Sequence, residues 1–219
     1  MKIAVLGTGM VGNSIATKLI QLNHEVIMGS RTATNEKASA WVKSVGEKAT
    51  QGTFADAAAF GEIIFNCTSG MASLEVLKSA EEKNLSGKIL IDVANPLDFS
   101  KGFPPTLSVC NTDSLAEQIQ KAFPNTKVVK SLNTMNCILM TNPSLVPGNH
   151  DVFLCGNDAD AKAKAIEILK SFGWKSPVDL GDLTGARGME MILPIWVRLY
   201  GILNHPTLIF TLRNNLWKN

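Results

Sequence analysis

The chain has 219 residues, with 21 Lys and Arg against 19 Asp and Glu, a formal charge of +2 and four cysteines. That length suits one domain able to bury a proper core, and the scattered, near-balanced charge argues against a nucleic-acid face or a polybasic membrane surface. Cys67, Cys110, Cys137 and Cys155 are far apart, with no Cys-x-x-Cys pair and no His at ligand spacing, so free thiols are expected rather than zinc or a redox dithiol.

Lys2–Leu6 is a short apolar run of the kind that forms a buried parallel strand, starting at the N-terminus itself. A cytoplasmic protein is therefore expected, since no leader precedes it and no apolar run reaches the length of a membrane span. Val11, Ile15, Leu19 and Leu22 then recur at helical spacing. Between strand and helix stands Gly7-Thr8-Gly9-Met10-Val11-Gly12, a Gly-x-Gly-x-x-Gly turn. Gly7 permits the tight turn, Gly9 lets a pyrophosphate approach bare backbone, and Gly12 lets the helix pack closely on the strand. The helix N-terminus offers unpaired N–H groups to the phosphates.

The second strand, Glu25–Met28, runs into Gly29-Ser30-Arg31-Thr32 with no acidic residue. NAD enzymes place Asp or Glu here for the adenosine ribose 2′-OH. A guanidinium pairs instead with a 2′-phosphate, to which a Ser hydroxyl can donate, so NADP(H) is the expected cofactor. Lys37, in the first turn of a helix predicted over 35–45, offers a second cation.

Strand and helix patterns keep alternating: strand 62–66, helix 71–82, strand 88–93, helix 113–123, strands 127–130 and 150–155, and helix 159–172. This predicts an α/β fold, a doubly wound, mostly parallel Rossmann sheet, as one NADP-binding domain over 1–219. Ligands of such sheets lie beyond the carboxyl ends of the strands. Three junctions there are rich in small polar residues: Thr68 and Ser69 after one strand, Ala94-Asn95-Pro96 after the next, and Asn133-Thr134 after the third. They can line a nicotinamide ribose and carboxamide, although the same residue types also populate ordinary turns.

Leu97–Val109, with Gly102 and Pro104-Pro105, reads as an irregular loop able to cover the site. From about residue 177 a small extension is expected on the acceptor side. In it Met189, Ile192, Trp196 and Leu199 recur at helical spacing, Pro194 interrupts the pattern, and Thr207–Leu212 reads as a last strand. An apolar stripe of this kind suits core or a homodimer seam, or one wall of an acceptor pocket.

Carbonyl, imine or hydroxy-acid reduction calls for a proton donor such as Lys, Tyr or His. His24, His150, His205 and Tyr200 are poorly placed for it, and Lys130 reads as a strand-end residue, so no catalytic side chain is assigned. Hydride exchange between a nicotinamide and a flavin-like ring needs none.

Over nearly its whole length the chain resembles the NADP-dependent oxidoreductases that include the deazaflavin-coenzyme (F-420) reductases and the reductase domain of the STEAP metalloreductases. The matching pieces are Gly7–Gly12, Gly29-Ser-Arg31, Lys127–Thr134, Asp151–Asp158 and Val178–Leu183. The resemblance implies NADP held at Thr8–Val11 and Ser30-Arg31, the nicotinamide near Asn95-Pro96 and Asn133-Thr134, and a flavin or deazaflavin as second substrate, a small-molecule redox acceptor. The deazaflavin reductases carry His-Thr-Ile-Pro where this chain has Asn133-Thr-Met-Asn136, which resembles the metalloreductase domain more. Two other readings share the N-terminal fold: a β-hydroxyacid or imine reductase, and a non-catalytic NADP(H)-sensing module.

Overall fold

The computed structural model describes residues 1–212. The chain builds an eight-stranded sheet. Strand β1 (Lys2–Leu6) lies at its middle, with Ile3–Leu6 all fully buried. Its side chains alternate between the sheet's two faces, Ile3 and Val5 joining one apolar cluster and Ala4 and Leu6 the other, as the twofold strand repeat requires. Next to it on one side come β2 (Glu25–Ser30) and β3 (Ala49–Thr53), and on the other β4 (Ile63–Asn66), β5 (Ile89–Asp92) and β8 (Lys127–Ser131), all parallel. Two further strands, β9 (Asp151–Gly156) and β10 (Ser176–Asp179), pair parallel with each other, and β9 runs antiparallel to β8. The chain order therefore reverses between β1 and β4, where sheets of this type hold their ligands.

Helices cover both faces. Helices α1 (Met10–Gln21), α2 (Glu36–Val45), α7 (Cys137–Thr141) and α8 (Ala159–Phe172) bury Ile15, Leu19, Trp41, Leu139 and Phe172 against one face. The other face carries α3 (Phe54–Phe60), α4 (Gly70–Ser79), α5 (Glu82–Leu85), α6 (Leu115–Ala122) and α9 (Gly185–Met191), through Phe54, Leu77, Leu85, Ile119 and Met189. Helix α10 (Leu193–Leu203) follows α9 directly. Pro194 does not interrupt one helix but opens the second, in the first turn where its missing N–H costs nothing. Only Leu193 and Val197 of α10 are buried, and Ile195, Tyr200, Ile202 and Leu203 are exposed.

Three expectations need correction. Residues 207–212 form no strand. Instead the Leu208 carbonyl accepts from Trp196 Nε1 at 3.3 Å and the Leu212 N–H donates to Asp151 Oδ2 at 2.6 Å, so the segment is tied down singly rather than by a ladder. The 97–109 loop contains a small antiparallel hairpin, β6 (Leu97–Asp98) with β7 (Thr106–Leu107). The predicted helix over 71–82 stops at Ser79, and a separate turn of helix, α5, follows.

Candidate functional site

The glycine turn has the geometry its sequence demands. Gly7 sits at φ +118°, and a β-carbon there would meet the Cys67 carbonyl oxygen at 2.7 Å. A β-carbon on Gly12 would lie 2.1 Å from the Gly7 carbonyl oxygen, so the helix approaches the turn as only glycine allows. At Gly9 there is nothing within 4 Å: this position faces open space, into which a phosphate can come.

Two helix N-termini at this edge of the sheet are bare. Asn35, Thr53, Ser114, Asn136 and Asp158 each cap a helix with a side chain. Helices α1 and α4 begin instead at Gly9 and Ser69 with no side-chain cap and no acidic residue in the first turn. Their first N–H groups and positive dipole ends are left for an anion.

Two adjoining cavities sit over these turns. One, of about 330 Å³, is lined by Gly7, Thr8, Gly9, Ser30, Arg31, Thr68 and Ser69, together with Gly29, Asn35, Phe54, Cys67, Ala72 and Val76. No carboxylate lines it, and Arg31 forms no ion pair among the described residues. Ser30 Oγ donates to the Thr32 carbonyl at 2.6 Å, which pins the turn that presents Arg31. Lys37 is not brought to this cavity: it lines a wider groove of about 1060 Å³ along α1 between α2 and α7, which touches the site at Thr8, Gly9 and Met10.

The second cavity, of about 400 Å³, gathers Met10, Val11, Thr68, Ser69, Ala94, Asn95 and Asn133. Its remaining walls are largely apolar, with Phe99 from the hairpin, Met135 and Met140 from the β8–α7 stretch, and Leu193, Trp196 and Val197 from α10. Trp196 stacks on Tyr200 with ring centroids 5.5 Å apart and planes 6° from parallel. None of the described residues lining this cavity is Asp, Glu, Lys, Arg, His or Tyr. Two cysteines line it: Cys67 is buried, and burial first and Asp92 second push its thiol far above its usual pKa, while burial also raises that of the half-buried Cys137. Gly12, Pro96 and Thr134 lie behind these walls, buried and outside the lining.

Asn95 and Asn133 are locked together. Asn95 Nδ2 donates to the Asn133 carbonyl at 2.8 Å, and Asn133 Nδ2 donates to Asn95 Oδ1 at 2.8 Å and to the Met189 carbonyl at 2.9 Å. Both amides are thereby fixed in orientation, and Asn133 Oδ1 is left buried with no hydrogen-bond partner. An orphaned acceptor at a cavity wall suits a carboxamide N–H2, the group a nicotinamide carries.

Sequence reasoning missed what lies beneath this wall. Lys130 is fully buried in β8; its ammonium donates to Asp92 Oδ2 at 2.8 Å and to the Ala94 carbonyl and forms an ion pair with Glu190 Oε1 at 2.9 Å. Burial disfavours the charged amine, yet Asp92 and Glu190 outweigh it and hold its pKa above the ordinary value. The only signal in the sequence was a lysine inside the apolar run Lys127–Ser131, and its partners are 38 and 60 residues away.

Comparison with known proteins now adds to this geometry. Residues 2–96 match the family of coenzyme F420-dependent NADP oxidoreductases. Over 210 residues the chain is 31% identical to the F420-dependent NADP reductase of Methanocaldococcus jannaschii, spanning 91% of this chain and 92% of that one. The chain belongs to the F420-dependent NADP oxidoreductase family. Within it, a crystal structure of a candidate F420-dependent NADP reductase from Arthrobacter sp. FB24 superposes with a TM-score of 0.93 at 49% identity, covering 98% of this chain and 100% of that one. The metalloreductase STEAP3 of Rattus norvegicus is 31% identical over 201 residues, 89% of this chain but 38% of its own length. As a member of this family of NADP-dependent oxidoreductases, the chain has the mostly parallel sheet and glycine turn of a dinucleotide-binding fold. No helix among the described residues is long and apolar enough to cross a membrane.

Proposed function

We propose that the chain passes hydride from NADPH to the planar ring of a flavin or deazaflavin seated in the cavity of about 400 Å³. The observation that carries this reading is the chemistry of that cavity's lining. It is wide enough for a ring system and walled by Met, Leu, Val and Trp. Among its described lining residues there is no Asp, Glu, Lys, Arg, His or Tyr to give a proton to a carbonyl or imine, and burial raises the pKa of both thiols, Cys67 and Cys137, which makes them weaker acids. Ring-to-ring hydride transfer needs only that two flat groups be held face to face in a site sheltered from water.

Within the reading, the bare end of α1 and Gly9 receive the pyrophosphate, Arg31 pairs with the 2′-phosphate, and Asn133 Oδ1 accepts from the nicotinamide carboxamide. Thr8, Met10, Val11, Thr68, Ser69, Ala94 and Asn95 complete the walls, with Pro96 and Thr134 backing them. Lys37 approaches the phosphates only from the α1 groove. When bound, the nicotinamide supplies a hydride from C4, and the acceptor ring takes that hydride and one proton from solvent. Trp196, stiffened by Tyr200 and by its bond to the Leu208 carbonyl, offers a flat face to the acceptor.

The test is an anaerobic stopped-flow panel of FMN, FAD, F-420 and ferric chelates against NADPH. Rapid NADPH oxidation by a ring acceptor supports the reading. Tight NADPH binding with no oxidation by any of them would replace it with a cofactor-sensing module.

A further inference from the structure

The two turns that face the nicotinamide in this reading, Ala94–Asn95 and Asn133, are both fastened to consecutive residues of α9. Asn133 Nδ2 donates to the Met189 carbonyl at 2.9 Å, and Glu190 takes the buried ammonium of Lys130 at 2.9 Å. Lys130 in turn donates to the Ala94 carbonyl, while the Ala94 N–H donates to Asp92 Oδ1 at 3.3 Å. The Ala94 residue is thus held at both its N–H and its C=O by a cluster in which Asp92 and Lys130 are fully buried and Glu190 nearly so.

The ammonium donates to Asp92 and to the Ala94 carbonyl and forms an ion pair with Glu190 at 2.9 Å. Glu190 is saturated from the other side. Its Oε2 accepts the Leu115 N–H at 2.8 Å and its Oε1 the Ala116 N–H at 3.3 Å, at the start of α6. Two backbone N–H groups on its oxygens and the Lys130 ammonium beside it favour the charged carboxylate, against the burial that raises its pKa. Asp92 Oδ1 also accepts from Asn66 Nδ2 at 2.7 Å, and Asn66 Oδ1 accepts from Thr68 Oγ1 at 2.7 Å, so the cluster reaches the third site turn as well.

We propose that Glu190, acting through Lys130 and Asp92, is a positioning residue for hydride transfer: the C-terminal α9 helix sets the Ala94–Asn95 turn and Asn133 at the nicotinamide, so the site is incomplete without it. The cluster meets the cavity of about 330 Å³ only at Thr68, through Asn66, and makes no contact with the glycine turn or Arg31, so it governs the angle of the nicotinamide far more than the anchoring of the cofactor. The proposal rests on the hydride-transfer reading for its kinetic test.

The substitution Glu190→Gln keeps the shape but gives one side of the head group an amide N–H2, which must then meet a backbone N–H or the ammonium. The expected result is a hydride-transfer rate in single turnover lower by about ten- to a hundredfold, the scale of a misplacement of about 1 Å. The Kd for NADPH should stay within about threefold, because the phosphate contacts are untouched. Hydrogen–deuterium exchange should quicken at residues 94–95, 115–116 and 132–134 and stay unchanged in the strands of the sheet. If Glu190→Gln does not fold, the triple variant Asp92→Asn/Lys130→Met/Glu190→Gln removes the charges together and leaves none buried alone. A transfer rate within threefold of the wild type, or a rate that falls only in step with Tm and with sheet-wide exchange, overturns the proposal. If the wild type reduces no acceptor, the hydride-transfer reading fails, and the localised exchange in the variant still decides this one.

Discussion

In the proposed reading one residue, Arg31, decides which dinucleotide binds. Arg31 has no carboxylate partner among the described residues; of two cavities it lines, the one over the glycine turn holds no acid and the smaller one beside it holds Glu75. A charge-assisted pair with a 2′-phosphate contributes about 1.5–3 kcal/mol, or about tenfold to a hundredfold in Kd. Arg31→Ala should therefore weaken NADPH by that factor and leave NADH within about twofold, as read by titration of nicotinamide fluorescence. Equal affinities for the two cofactors in the wild type would contradict the assignment. Arg31 was legible in the sequence because its position after β2 is fixed by the strand it ends. Lys37 was legible only as a nearby cation, since its side of α2 depends on where Asn35 caps the helix. The cluster of Lys130, Asp92 and Glu190 was not legible, because nothing local marks which carboxylates a buried lysine will meet.

At the scale of elements, the turn and its helix make separable demands. Gly12→Ala drives a β-carbon against backbone 2.1 Å away, whereas Gly9→Ala meets nothing within 4 Å. Gly12→Ala should cost about 1–3 kcal/mol or more, and Tm should fall about 2–4 °C for each kcal/mol in a chain of this size. Gly9→Ala should leave Tm unchanged and abolish most NADPH binding, a contrast that calorimetry and titration together would show. Central strands and long helices were legible, because β1, β4 and β5 are continuous apolar runs and α8 has a clear stripe. The edge elements were not. Strand β3 buries only Ala49 and Gly52 and reads as polar, although the Thr53–Asp56 capping box that starts α3 is plain in retrospect. Strand β10 carries Pro177, tolerable only at an edge. Thr207–Leu212 has strand-like composition but pairs with neither edge strand of the sheet, β10 or β3.

Across the whole molecule, the C-terminal extension is joined to the Rossmann sheet by charge as well as by apolar packing. Besides Glu190, Arg187 of α9 grips Glu117 of α6 in a fork, through Nε at 2.9 Å and Nη2 at 2.6 Å. Arg187 holds the Glu117 carboxyl below its usual value of 4.5, against a smaller opposing effect of burial. A carboxyl depressed in the folded state adds stability above its unfolded pKa and loses it as pH falls through the folded one. Arg187→Gln should thus lower Tm at pH 7, and the gap from the wild type should close as the pH is taken below about 4. A gap independent of pH would show that the pair contributes packing alone. In the proposed reaction the same extension brings Leu193, Trp196 and Val197 over the nicotinamide, so one segment both orients the donor and walls the acceptor.

That convergence is tested most directly by single-turnover reduction of the best ring acceptor with NADPH deuterated at one or the other face of C4. Direct transfer across the cavity predicts that deuterium at one face slows the reaction severalfold while deuterium at the other has little effect. No slowing from either face, under conditions where the ring is reduced in a single step, would contradict hydride transfer within this site.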